Sequence, residues 1–204
     1  MPVPARDGSW VVDGWSACRY EPGSSPCQDL DVLVATGRLL HAKLAAVVAA
    51  PHPVLDDRED RWAVSDRLAF GSGDRAVAAA VDRTETGLAE LVEKLVGQLS
   101  GASSGPSQLV HGDLAGNVLL DAGGAPVVID FAPYWRPARW AEAVCVLDAV
   151  LWQDAAPSAV AAWSGAGDRD AMIRAALFRM LSDLPCDVEA YNRVLVGTIL
   201  DPST

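Results

Sequence analysis

The stretch from Leu109 to Leu120 sets His111, Gly112, Asp113 and Asn117 between two apolar runs, and Val127-Val128-Ile129 then leads into Asp130 and Phe131. Two short strands enclosing a polar turn would let Asp113 and Asn117 leave one strand end while Asp130 ends the next, bringing all three to one point. That set suits metal-assisted phosphoryl transfer. A cation bridging triphosphate oxygens wants hard oxygen ligands, which Asp130 and Asn117 supply, and a carboxylate such as Asp113 can orient an attacking hydroxyl and take its proton. The plainer reading is a β-hairpin, because Asp121, Gly123 and Gly124 make an ordinary turn. A turn alone, however, needs neither His-Gly-Asp ahead of the first strand nor a carboxylate buried behind Val127-Val128-Ile129.

The order His111-Gly112-Asp113, a short loop, Asn117, and then Ile129-Asp130-Phe131 resembles the aminoglycoside phosphotransferase family, which has a protein-kinase-like fold. The resemblance implies that Asp113 is the catalytic base, that Asn117 and Asp130 are Mg2+ ligands, and that His111 supports the loop. It also implies ATP or GTP as phosphoryl donor and a small-molecule hydroxyl as acceptor. The family's loop has four residues between Asp and Asn, whereas only Leu114, Ala115 and Gly116 intervene here. Gly116 would let the backbone take the tighter path. By the same resemblance, Arg19, Tyr20 and Glu21 present hinge backbone groups to the nucleotide base, with Cys18 beside it. An ordinary strand end before a Ser/Pro/Gly loop reads equally well there. Asp148, inside the apolar run Ala143 to Trp152, resembles the family carboxylate that braces the catalytic loop by accepting backbone hydrogen bonds.

The elements that must position these residues point to an α+β chain. The expectation is a mainly helical C-terminal lobe of a kinase-like fold over residues 23–204, with short β-hairpins, preceded by a remnant of a small-lobe sheet and hinge over residues 1–22. Asp7-Gly8 is a turn signal, and Trp10-Val11-Val12 and Trp15 to Tyr20 read as one extended strand with Asp13-Gly14 as a bulge or bend. Leu30, Leu33, Val34, Gly37, Leu40, His41, Leu44, Val47 and Val48 share one helical face, with Asp29 or Asp31 serving its N-terminus. His41 on that face reads as a packing histidine, because no metal-ligating partner sits at helical spacing. Asp56 to Asp66 reads as a charged connection, Gly71-Ser72-Gly73-Asp74 as a turn, and Gly101 to Pro106 as a joint. Leu88, Leu91, Val92, Leu95 and Leu99 mark another helix. Ala132 to Trp140 reads as a rigid aromatic loop, in which Arg136 and Arg139 either pack or meet phosphate. Two closing helices follow, one through Ile173, Ala176, Leu177, Met180 and Leu181 and one through Val188, Tyr191 and Leu195.

The 204 residues are half hydrophobic, enough for one buried core, and the net charge is −11. That charge, with no basic cluster, speaks against nucleic acid, and it suits a cationic small-molecule substrate as well as plain solubility. No apolar run is long enough for a membrane, and four scattered cysteines suggest reduced thiols and a cytoplasmic setting. Only nine residues precede Trp10, and the two lysines, Lys43 and Lys94, fall on expected helices beyond the hinge. A glycine-rich phosphate cover and a phosphate-holding lysine are therefore not seen. The expectation is an ATP- and Mg-dependent phosphotransferase in truncated form with impaired activity. The alternative is a catalytically silent kinase-like binding module completed by a partner chain, or by self-association through the exposed N-terminal strand. A metal-dependent hydrolase using Asp113 and Asp130 ranks lower, because His41 and His52 are remote from the motif.

Overall fold

A computed structural model describes residues 2–71, 86–101, 104–164 and 168–200. The chain is α+β, with short antiparallel sheets beside a set of helices. At the N-terminus, β1 (Pro2–Val3) pairs with β2 (Ala17–Cys18), and Val12 bridges Trp15. Asp13 and Gly14 both take positive φ, +50° and +81°, so they form the tight turn of a hairpin and not a bulge in one continuous strand. Two adjacent residues with positive φ reverse the chain in a single step.

Strand β3 (Ser25–Pro26) leads to α1 (Leu30–Val47), whose N-terminus is capped by Asp29 accepting from the Asp31 and Val32 amides. The apolar face of α1 buries Leu33, Gly37 and His41. Residues 61–66, expected as part of a charged connection, lie in α2 (Arg61–Phe70), capped by Asp60. Their charge misled because its partners are distant: Asp66 forms a two-pronged pair with Arg136. Gly71 follows this helix, and the rest of the expected Gly-Ser-Gly-Asp turn lies outside the described residues, as does part of the expected joint from Gly101 to Pro106.

After α3 (Thr86–Gly97) come β4 (Ser107–His111), β5 (Val118–Leu120), β6 (Pro126–Val128) and β7 (Pro133–Pro137). Strand β5 lies between β3 and β6, while β4 pairs in register with β7. The segment expected as an aromatic loop is thus largely strand. Its arginines pack: Arg136 is held by Asp66 and lies over Phe70, and Arg139 is held by Asp168 and Glu142 over Trp163. Four more helices complete the described chain, namely α4 (Ala138–Trp152), α5 (Ser158–Ser164), α6 (Arg169–Ser182) and α7 (Val188–Leu195). The core sits where α4 and α6 meet the β4–β7 pair. There Tyr134, Trp140 and Phe178 stack edge to face with centroids 5.3–5.5 Å apart. Among the described residues no helix is long and apolar enough to cross a membrane.

Candidate active site

The catalytic-type loop is held from below by two histidines. His111 ends β4 fully buried, and its backbone N–H donates to Nε2 of His41 at 3.1 Å. Its ring Nδ1 accepts from the Asp113 amide at 3.2 Å, so the ring proton is assigned to Nε2, which donates to the Ile129 carbonyl at 3.3 Å. Phe131 meets the same ring edge-on at 5.2 Å. His111 therefore ties the loop to the residue that follows β6. Burial lowers the pKa of His111, and burial together with His111 pushes His41 down to about 4. Both rings are neutral at pH 7, which the hydrogen bonds require.

Gly112 is needed for space. Its backbone N–H donates to Ala132 at 3.0 Å, and a Cβ there would lie 2.6 Å from Cε2 of Tyr134 and 3.2 Å from Trp140. Leu114 then anchors the turn, 2% exposed, against Gly37 of α1. Gly116 adopts φ +86°, and the Asn117 amide donates to Leu114 at 2.9 Å. The short three-residue spacing thus closes as a tight turn that still returns Asn117 to Asp113. Nδ2 of Asn117 donates to the Asp113 carbonyl at 2.7 Å and to its Oδ2 at 3.2 Å. The Ile129 amide in turn donates to the Asn117 carbonyl at 3.0 Å, which brings Asp130 alongside.

Asp130 itself is exposed, contrary to the expectation of a buried carboxylate. The strand ends at Val128, so the chain leaves the sheet before Asp130 is reached. Its φ of +45° is sparsely populated by non-glycine residues and swings the side chain out of the strand's alternation. Asp113 and Asp130 line one cavity of about 250 Å3 with Arg58, Trp62, Ala132, Tyr134 and Arg179. A second cavity of about 670 Å3 shares Trp62, Asp113 and Arg179 with the first and is walled further by Trp152, Asp183, Asp187 and Tyr191.

The sequence reading missed Arg179. Asp148, 1% exposed on α4, braces the loop through this guanidinium and not by accepting backbone amides. Arg179 on α6 grips Asp148 with Nε at 2.8 Å and with Nη2, which also reaches Oδ1 of Asp113 at 2.5 Å. Burial lifts Asp148 to about 6 against the pull of Arg179, so it is still ionised at pH 7. Burial also works against the Arg179 charge, but Asp148 and then Asp113 outweigh it and raise its pKa. The only signal in the sequence was the need of a carboxylate in an apolar run for donors.

Arg19, Tyr20 and Glu21 lie between β2 and β3, with Tyr20 81% exposed, and none of the three lines the two cavities beside Asp113. The donor set fits a hard cation with an open shell. Asn117 spends its amide nitrogen on Asp113, and its Oδ1 and the Asp130 carboxylate are oxygens of the kind a hard cation takes. Among the described residues no three His, Cys, Asp or Glu side chains cluster as a cage. Magnesium, which is held by one or two protein oxygens and completed by water and phosphate, matches that supply.

Against known protein families, residues 3–178 match the phosphotransferase enzyme family, APH. The chain belongs to this family. No curated protein and no solved structure matches the chain significantly. Family membership supports a phosphotransferase, and the geometry around Asp113 is what remains to give that chemistry its parts.

Proposed function

We propose that this phosphotransferase-family chain is an ATP- and Mg2+-dependent kinase of a small-molecule hydroxyl, built on the C-terminal lobe of a kinase-like fold. The observation that carries the reading is the 250 Å3 cavity that Asp113 and Asp130 share, together with the bond from Asn117 to Asp113. Asp130 and Asn117 would hold the cation, which would neutralise charge on the transferred phosphoryl group. Asp113 accepts the hydrogen bond of the acceptor hydroxyl and takes its proton as that oxygen attacks the γ-phosphorus, while the bond from the γ-phosphorus to the β,γ-bridging oxygen breaks and ADP leaves. The acceptor enters through the 670 Å3 cleft, where Trp62 and Trp152 offer flat apolar faces and Asp183 and Asp187 offer carboxylates. A polyhydroxylated or amine-bearing ring suits those walls.

The test measures ATP turnover with Mg2+ for the native chain and for Asp113→Ala and Asp130→Ala. Each variant should lose about a hundred- to a thousandfold in kcat. Turnover unchanged in both variants removes the proposal. One observation favours a second reading, a silent binding module: the cations on the small cavity, Arg58 and Arg179, are already paired with Asp60 and with Asp148 and Asp113. Calorimetric titration with Mg-ATP separates the two, with heat of binding and phosphate release on the kinase side and no binding on the other.

A further inference from the structure

The two oxygens of the Asp113 carboxylate are not equivalent. Oδ1 is held by Nη2 of Arg179 at 2.5 Å, while among the described residues Oδ2 receives only the longer 3.2 Å contact from Asn117. The Asp113 side chain is 43% exposed, yet its clamp is 5% exposed and is itself gripped by an almost fully buried carboxylate, Asp148. A half-exposed aspartate ordinarily samples several rotamers. Here α4 and α6 carry a rigid fork that fixes one oxygen and faces both cavities through the same pair, Asp113 and Arg179.

We infer that Arg179 is a positioning residue for the transfer: it holds Oδ1 of Asp113 so that Oδ2 faces the incoming nucleophile. The inference rests on the phosphotransferase reading of the site. Arg179 borders both cavities, and the part inferred for it is to remove the rotational freedom of the group that takes the proton. Orientation of this kind is steep in its effect, because an ångström of misplacement costs on the order of a hundredfold. Asp148 then serves a second purpose beside packing, since it fixes the fork that fixes the base. Lysine at position 179 would keep the charge but lack the planar fork that joins Asp148 and Asp113 at once.

The test uses Mg-ATP alone, with water as acceptor, on the full chain and on two variants, Arg179→Lys and the double variant Arg179→Met with Asp148→Leu. The double variant leaves no unpaired buried charge and so keeps the fold in play, which thermal melting monitors. The expected result is a ten- to hundredfold lower kcat in the double variant at unchanged KM for ATP, with Arg179→Lys intermediate. A folded double variant with native kcat, or one in which KM for ATP rises while kcat holds, overturns the positioning role. A native chain that turns over no Mg-ATP overturns the phosphotransferase reading together with this one, whereas native turnover that survives the double variant sinks only the role of Arg179.

Discussion

The β4–β7 pair with α4 and α6, and the hairpin that precedes the first helix, treat their large apolar residues in opposite ways. In the first region Trp140, Phe178, Met172 and Leu177 are fully buried, and the loop from His111 to Asn117 hangs from that mass. In the second, Trp10, Val11 and Trp15 are 59%, 59% and 81% exposed, and the hairpin holds itself by backbone pairing and by the Asp7 carboxylate on Ser9. The contrast teaches where site geometry comes from. Among the described residues, every bond that places Asp113 and Asn117 originates within α1, the β4–β7 segment, α4 or α6, and none comes from residues 2–21.

If that division is right, substitutions should sort by region. The largest loss of stability is expected for Phe178→Ala, which removes the ring shared by Tyr134 and Trp140 and should cost about 3–5 kcal/mol in urea unfolding. Acidification comes next. Native His41 protonates only near pH 4 while an unfolded histidine does so near 6.5, so the unfolded state takes up the proton first. Stability is then fully present above about pH 6.5 and declines as pH falls towards 4, by roughly 3 kcal/mol at the lower end. His41→Gln, which keeps an acceptor for the His111 amide, should flatten that part of the profile. An equal slope in the variant would show that the support beneath the loop lies elsewhere.

Gly112→Ala should cost about 1–3 kcal/mol, because a methyl group must displace the Tyr134 ring. Its sharper consequence is local, since Asp113 follows directly, and nucleotide turnover should fall more than the stability loss accounts for. At the small end, Trp15→Ser on the hairpin should shift unfolding by less than about 0.5 kcal/mol. A loss above about 2 kcal/mol there would break the comparison and tie the hairpin into the core.

Much of this was legible in local sequence. The α1 face, its Asp29 cap and the His-Gly-Asp loop are set by residues within a few positions of one another, where periodicity and capping rules apply. Gly116 announced its own positive φ. What escaped was decided by partners far along the chain. The helix at 61–70 is stabilised in part by Asp66 meeting Arg136, 70 residues on, and a charged run gives no hint of that. Arg179 looked like any helical arginine, although Asp148, 31 residues earlier, already demanded a donor. Asp130, which the apolar run ahead of it marks as buried, is exposed because the strand ends at Val128 and a positive φ turns the chain outward.

The most direct test of the central claim, a cation held by Asn117 and Asp130 next to the base Asp113, uses Mn2+ as a paramagnetic stand-in for magnesium. Water-proton relaxation is followed as Mn-ATP is titrated with the native chain and with Asp130→Ala. The account predicts clear enhancement with the native chain and its loss in the variant. Equal enhancement in both would contradict it.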